Sequence, residues 1–179
     1  MSTPAAHPSP ITSEHVIQVF NAQFQATENT CLCGGADEPY YEPAIGQKPA
    51  IIWFRADYVR SALHEVAHWC LAGSARRDLA DYGYWYTSDD RNTDQQTAFF
   101  AVEARPQALE RYFCEALKLS FRASVDNLSL TIVDAVLQGF NERIARCHRR
   151  FAADGLPKRA ALFCDGLSIA ATAYELSEA

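Results

Sequence analysis

The sequence predicts an α+β fold, a single helix-rich domain that contains a small mixed β-sheet. Its 179 residues are enough for one hydrophobic core, and 49% of them are apolar while 21% are charged, as in ordinary globular proteins. Apolar residues recur at helical spacing over much of the chain, whereas only two short stretches have strand-like composition. We expect one domain at residues 13–179, preceded by a flexible tail at residues 1–12.

The first predicted elements are a helix, a long loop and a buried strand. Apolar side chains within residues 12–24 form one helical stripe, and Ser13 can cap it. Residues 28–49 contain three glycines and three prolines, which break regular structure and predict a long loop. A loop of this length inside a compact domain tends to be functional. The apolar run at residues 50–54 then predicts a buried strand.

A second helix is predicted from about residue 58 to residue 72. Asp57 can cap its first turn, and Gly73 follows at the place where a left-handed residue would end it. Aromatic and β-branched residues at 82–87 predict a second strand, followed by a polar turn.

The remaining chain is predicted to be helical. A helix that starts near residue 93 is expected to be interrupted at Pro106, because proline lacks an amide hydrogen and fits the first turn of a following helix at 106–119. A glycine at position 155 is expected to end the next helix. The last two helices are predicted at about residues 130–153 and 158–172.

Charge and composition exclude several classes of protein. No stretch approaches the roughly 18 consecutive apolar residues of a membrane-spanning helix, and no secretory signal is visible, so we expect a cytoplasmic location and no membrane partner. The formal charge of −6 opposes non-specific binding to phosphates, so no direct nucleic-acid partner is expected. Six cysteines without a C-x-x-C pair are expected to stay reduced there.

Residues 61–73, SALHEVAHWCLAG, contain the metal-binding pattern H-E-x-x-H of zinc peptidases. His64 and His68 are four residues apart on a predicted helix, so both imidazoles lie on one face and can bind one ion. Two ordinary core or surface histidines are the alternative, which is disfavoured because Glu65 stands between them and the flanking residues are apolar. The motif therefore predicts half of a metal site.

The third ligand is expected to be a carboxylate, because the other histidines lie in the tail, on the first helix and among arginines. Glu103 follows an apolar stretch on the next substantial helix, where an unpaired carboxylate would be costly to bury. Asp78, Asp81 and Glu110 are rival candidates, and each could instead be a surface charge or a helix cap. Spacing alone does not decide between them.

Two histidines and a carboxylate suit more than one chemistry. With zinc and Glu65 as general base they hydrolyse amides, and with Fe(II) and open coordination positions they activate dioxygen. The longer peptidase pattern H-E-x-x-H-x-x-G-x-x-H is excluded, since Leu71 and Ser74 replace its glycine and third histidine. A jelly-roll oxygenase is disfavoured, since no histidine is followed two residues later by an acidic residue.

Longer sequence blocks around the motif narrow this choice. The blocks are Asp37-Glu38-Pro39-Tyr40, residues 61–70 with Ala72-Gly73 and Ala75-Arg76-Arg77, Tyr82-Gly83-Tyr84-Trp85-Tyr86, and Val102-Glu103 with Pro106-Gln107-Ala108-Leu109-Glu110. In this order they resemble the elongation factor P hydroxylase family, and the likeness covers most of residues 13–165. Departures from the family pattern lie mainly in the N-terminal tail, at residues 31–35 and at residues 125–140.

The resemblance implies an Fe(II)-dependent hydroxylase that uses dioxygen and acts on the β-lysylated lysine of elongation factor P, with a reductant that the sequence does not identify. It implies a fold shared with a zincin-like metal-dependent endoribonuclease, in which the metal site lies on the central H-E-x-x-H helix. Carried over by position, the metal ligands are His64, His68 and Glu103.

The implied substrate side chain is long and cationic, which suits an acidic protein with aromatic residues near its metal. The candidates for cation–π contact are Tyr84, Trp85 and Tyr86. The candidates to receive the ammonium groups are Asp37, Glu38 and Asp81. Each of these side chains could instead have a structural role, in packing a strand or capping a turn.

Glu65 has two possible roles. In a hydrolase it would activate water, whereas in a hydroxylase it could orient a ligand or relay a proton. Two other functions stay open: a cytosolic zinc hydrolase that cleaves peptide or RNA, and a non-enzymatic module stabilised by metal. The second would need a fourth protein ligand, for which the sequence offers no obvious candidate.

Overall fold

The structure is a computed structural model that describes residues 11–83, 93–125 and 134–177. Its helices are α1 (Ser13–Phe24), α2 (Val59–Leu71), the short α3 (Ser74–Arg77), α4 (Thr93–Ala116), α5 (Asp134–Asp154) and α6 (Lys158–Ser177). The other elements are a 3-10 helix (Ala80–Gly83) and the strands β1 (Thr30–Ala36), β2 (Tyr40–Glu42) and β3 (Ala50–Arg55). Helices predominate and the sheet is mixed, so the predicted α+β class is confirmed. None of the described helices is long and apolar enough to span a membrane.

Strand β3 lies at the centre of the sheet, with β1 parallel to it on one side and β2 antiparallel on the other. The strand predicted at 50–54 is confirmed. The loop predicted at 28–49 is wrong, because β1 and β2 lie within it. Leu32 of β1 pairs with Ile52 in parallel register, and local composition does not reveal a partner so distant in sequence. The pairing register of β1 shifts between Cys33 and Ala36. Gly35 lies within this shift and has φ +94°, a conformation that glycine adopts without steric cost.

Helices α1 and α2 lie where the sequence predicts them, but their ends differ. Thr12, and not Ser13, is the N-cap residue of α1. Helix α2 begins after Tyr58 instead of Asp57, and Gly73 has φ −69° in place of the predicted left-handed stop. The chain leaves the helical conformation one residue earlier than Gly73, which then serves as the N-cap of α3.

Helix α4 is continuous, so the interruption predicted at Pro106 is wrong. A proline inside a helix costs about 3 kcal/mol, because one hydrogen bond is lost and the ring crowds the preceding turn. Aromatic packing on both sides of Pro106 offsets this cost. Phe100 stacks on Phe140 of α5 with ring centroids 4.2 Å apart, and Phe113 meets Phe163 of α6 at 4.9 Å.

The strand predicted at 82–87 is wrong in its described part, because Tyr82 and Gly83 belong to the 3-10 helix, and the rest of it lies outside the described residues. Asp81, Tyr82 and Gly83 have φ values of +47°, +57° and +73°. The Tyr41 amide of β2 donates a hydrogen bond to Asp81 Oδ1 (2.8 Å), and the Tyr41 ring stacks on Tyr82. These long-range contacts hold a backbone conformation that non-glycine residues rarely adopt.

The C-terminal helices agree with the prediction more closely. Gly155, with φ +87°, ends α5 as expected, and α6 continues to Ser177 beyond its predicted end. The predicted start of α5 and residues 1–10 of the predicted tail lie outside the described residues.

The metal-motif helix α2 is anchored to α6 at its C-terminal end. Arg159 Nη2 donates hydrogen bonds to the carbonyls of Trp69 (3.0 Å), Cys70 (3.3 Å) and Ala72 (2.7 Å). The Arg159 guanidinium also lies 4.6 Å from the centroid of the Trp69 ring, which is fully buried. Because the last carbonyls of a helix otherwise lack partners, one arginine satisfies the end of α2 and fixes its position in the core.

Gly34 provides a test of the close packing of β1. A Cβ atom at Gly34 would lie 2.6 Å from the Phe54 ring and 2.8 Å from the carbonyl oxygen of Ala56, so Gly34→Ala should lower the free energy of unfolding by about 1–3 kcal/mol. The matched control is Gly139→Ala in α5, where nothing lies within 4 Å and a gain of about 0.5–1 kcal/mol is expected. Urea denaturation of both variants measures the difference, and equal effects would contradict the observed packing.

Candidate metal centre

Helices α2 and α4 bring three side chains together. His64 and His68 lie one turn apart on α2, with their Nε2 atoms 3.1 Å from each other. Glu103 of α4 faces both, with Oε2 at 3.4 Å from His64 Nε2 and Oε1 at 3.3 Å from His68 Nε2. One donor atom from each residue lies within 4.8 Å of the other two. The histidine pair and the carboxylate named from the sequence are therefore neighbours in the fold.

The geometry of these donors fits a divalent metal ion. Bonds of about 2.1 Å to one ion place neighbouring ligand atoms roughly 3.0–3.4 Å apart, which the observed distances match. Glu103 is 2% exposed, and its Oε2 accepts no hydrogen bond from the described residues. A buried carboxylate is costly unless opposite charge lies against it, and a bound cation would supply such charge. The three-residue group is thus suited to hold a metal.

Charge coupling across the site is strong. Burial alone would raise the pKa of Glu103, but the neighbouring His68 and His64 rings outweigh it and lower that pKa to about 2. Burial opposes charge on His64, but its hydrogen bond to Glu110 and the surrounding carboxylates outweigh burial and raise its pKa to about 10. Without a metal, positive charge on His64 stabilises the buried carboxylates beside it, and a metal ion would replace that charge.

The rival ligands have other contacts. Glu110 lies against the opposite edge of the His64 ring, with Oε2 at 2.9 Å from Nδ1. Asp81 accepts the amide hydrogen of Tyr41 in β2, and Asp78 occupies the C-cap position of α3. In the described part of the chain the group of possible metal ligands has three members, so it lacks the fourth ligand that a closed structural site requires.

Glu65 is half-buried on α2 and does not belong to the three-residue group. Burial raises the pKa of its carboxyl, and the charges of Glu103 and Asp81 raise it further against the opposing effect of the two histidines. The charges of the centre therefore shift the pKa of Glu65, although Glu65 is not one of the three candidate ligands.

Sequence reasoning missed two buried polar residues near the centre. Tyr82 is buried, its hydroxyl has no hydrogen-bond partner among the described residues, and burial followed by the charge of Glu65 raises its pKa well above the usual range. Gln107 is buried on α4 and bonds to the backbone of Ser124. The Gln107 signal was present in the sequence, because it follows Glu103 by one helical turn.

The predicted substrate-binding residues do not form one cluster with the candidate metal ligands in the described part of the chain. Asp37 and Glu38 are exposed in the connection between β1 and β2, and no contact with the three-residue group is seen in the described part of the chain. Asp81 is exposed, but one of its carboxylate oxygens already accepts the Tyr41 amide. The three aromatic candidates, Tyr84, Trp85 and Tyr86, lie outside the residues that the structure describes.

Metal binding to this group is expected to release protons. At neutral pH a metal has to displace the proton that His64 holds, since the pKa of that imidazole is about 10 in the metal-free site. Zinc titrated calorimetrically in buffers of different ionisation enthalpy should release about one proton, and its apparent affinity should rise as the pH increases towards 10. Zinc binding without proton release near neutral pH would contradict the charge state described for the centre.

Comparison with known proteins identifies the relatives of this chain. Residues 19–178 match the model of a family described as elongation factor P hydroxylase. A protein of Haemophilus influenzae named elongation factor P lysine hydroxylase is 43% identical over 148 residues, which cover 82% of this chain and 82% of that protein. The match includes α2 and α4, which carry the candidate metal ligands. The chain belongs to the elongation factor P hydroxylase family.

Proposed function

We propose that this protein is an Fe(II)-dependent enzyme that hydroxylates the β-lysylated lysine of elongation factor P, with dioxygen as co-substrate. Family membership supports a hydroxylase of the oxidoreductase class, and the name of the H. influenzae relative supports a lysine of elongation factor P as its target. The convergence of His64, His68 and the buried carboxylate of Glu103 is the structural observation that carries the proposal. Because the family name describes hydroxylation, the hydrolase alternative is not favoured.

His64, His68 and Glu103 would hold the iron. Bound there, Fe(II) would supply the activation of dioxygen, at coordination positions that three protein ligands leave open. Two neutral imidazoles and one carboxylate contribute a single negative charge to the site, so the buried group balances part of the charge of a divalent ion. Rigid helices on both sides keep the three donors close together before the ion arrives, which limits the ordering that binding requires.

Glu65 is proposed to exchange a proton at the edge of the centre. A carboxyl whose pKa is raised by burial holds its proton at a higher pH than an exposed glutamate does. Its position between the two histidines on α2 keeps it close to the reaction without occupying a ligand position. In this role Glu65 would accept or return the proton that accompanies hydroxylation, in place of the water-activating role of the corresponding peptidase residue.

The acidic and aromatic residues named from the sequence are proposed to receive the cationic substrate. Asp37, Glu38 and Asp81 would attract the ammonium groups of the β-lysyl lysine. Residues 84–86 follow the 3-10 helix in the chain, and their aromatic rings would add cation–π contacts. Because elongation factor P acts in translation, the proposed reaction takes place in the cytoplasm.

Mass spectrometry of elongation factor P tests this function. The enzyme is loaded with Fe(II) anaerobically, mixed with β-lysylated elongation factor P and a two-electron reductant such as ascorbate, and exposed to air. The substrate is expected to gain one oxygen atom while the other atom of dioxygen is reduced to water. Unmodified elongation factor P tests the requirement for the β-lysyl group. His64→Ala and Glu103→Gln should each leave less than about 1% of the rate, because losing a ligand costs more than the roughly 10- to 100-fold loss from an outer partner.

His15→Ala is the matched control, because His15 lies on α1 and contacts Thr12 and Tyr174 instead of the centre. This variant should keep the full hydroxylation rate. If the iron-loaded enzyme adds no oxygen while the zinc-loaded protein cleaves peptide or RNA, the hydroxylase proposal is overturned.

Substitution of Glu65 separates its role from that of a ligand. Glu65→Gln should keep the metal content of the wild type and reduce turnover by about 10²- to 10⁴-fold, because the amide cannot exchange a proton as a carboxyl does. Metal analysis and single-turnover rates measure the two effects. Glu115→Gln, which changes a half-exposed carboxylate on α4, should alter neither. Equal metal loss in Glu65→Gln and His64→Ala would show that Glu65 is a ligand and that this proposal is wrong.

A further inference from the structure

One buried face of α4 carries three polar residues on successive turns of the helix. Glu103, Gln107 and Glu110 are 2%, 1% and 5% exposed, and their spacing of four and three residues places them on the same side of the helix. Buried polar side chains on one helix face are costly unless each has a partner. Glu103 belongs to the candidate metal group. Because Gln107 and Glu110 lie on the same helix face, the groups that they contact can affect the same site.

Glu110 contacts a candidate ligand from behind. Its Oε2 lies 2.9 Å from Nδ1 of His64, while Nε2 of the same ring faces His68 and Glu103. A carboxylate can only accept a hydrogen bond, so Nδ1 of His64 carries the hydrogen of this pair. A neutral imidazole has one such hydrogen, and the lone pair of Nε2 is therefore free to bind a metal.

Gln107 holds the same face of α4 in place. Its Nε2 donates to the carbonyl of Ser124 (2.8 Å), and its Oε1 accepts from the amide of Ser124 (3.0 Å). Arg60 of α2 donates to carbonyls of the same segment, at Ser120 and Arg122. Residues 120–124 thus bond to both α2 and α4, the two helices that carry His64 and Glu110.

We propose that Glu110 is a positioning residue that fixes His64 in the Nδ1–H tautomer and in the ring orientation that directs Nε2 to the metal. The inference rests on the metal site of the proposed function. Glu110 was a rival ligand candidate in the sequence. The inference instead gives it an indirect role, in which it acts on the metal through His64. Hydrogen bonding of a ligand histidine to a carboxylate both orients the ring and raises its basicity, and losing such a partner typically weakens metal binding 10- to 100-fold.

Glu110→Gln tests the assignment with zinc as the probe. The amide of the variant can donate to Nδ1 and so permits the opposite tautomer, whose Nε2–H cannot bind metal. We expect zinc affinity, measured by competition with a chromophoric chelator, to fall about 10- to 100-fold. Nitrogen chemical shifts of the His64 ring, recorded for the metal-free proteins at a pH high enough that the ring is neutral, should report Nδ1–H in the wild type and a mixture of tautomers in Glu110→Gln. Glu115→Gln on the same helix is the control and should change neither.

Glu110→Asp keeps the test decisive if the glutamine variant folds poorly. This variant retains a carboxylate, so it should preserve the Nδ1–H tautomer and lose less than the roughly 10- to 100-fold in zinc affinity that loss of the carboxylate costs. Wild-type affinity and an unchanged tautomer in Glu110→Gln would overturn the inference while leaving the metal site intact, and so would a loss in Glu110→Asp as large as in the glutamine variant. Failure of the wild-type protein to bind zinc would overturn the metal site as well as the inference.

Discussion

The Glu103 carboxylate is buried between α2 and α4, and the need to balance its charge constrains the rest of the structure. An ionised carboxylate is stable at such a depth only if opposite charge or a metal lies against it. His64 and His68 meet this need, which requires α2 and α4 to pack closely along the motif face. The apolar residues around the motif are buried and fix α2 in the core.

The two helices are held in this arrangement by contacts far from the centre. Arg159 of α6 binds the last carbonyls of α2, and aromatic pairs fasten α4 to α5 and α6 on both sides of Pro106. The side of the centre near β2 contains a 3-10 turn instead of an α-helix. In this turn Asp81 and Tyr82 adopt left-handed backbone conformations, and the carboxylate of the first and the hydroxyl of the second interact electrostatically with Glu65. Strained residues persist where the surrounding structure fixes them, and they often accompany functional sites. A rigid ligand frame is thus combined with a strained turn near the residue proposed to move a proton.

Most helices could be predicted because helical periodicity is a local property of the sequence, as α1, α2 and α6 illustrate. Strand β1 could not, because its glycine-rich stretch becomes a strand only through parallel pairing with β3. The predicted helix break at Pro106 was wrong for a related reason. The local cost of the proline is offset by packing partners that the sequence does not identify. The turn at Asp81 likewise depends on its bond to Tyr41, a residue of another element.

The sequence by itself determined the histidine pair, because residues four apart on a helix share a face whatever the surrounding fold. The longer sequence blocks also identified the family, which the comparisons confirm. The resemblance to the family already named Glu103 as the third ligand, whereas spacing alone did not. Only the tertiary structure shows how Glu103 and Glu110 differ, although both lie on the same face of α4 and both reach His64. The difference is which nitrogen each carboxylate meets: Glu103 lies beside Nε2, where the donors converge, and Glu110 lies beside Nδ1. That choice depends on how α4 crosses α2, a relation between distant segments that no local pattern encodes.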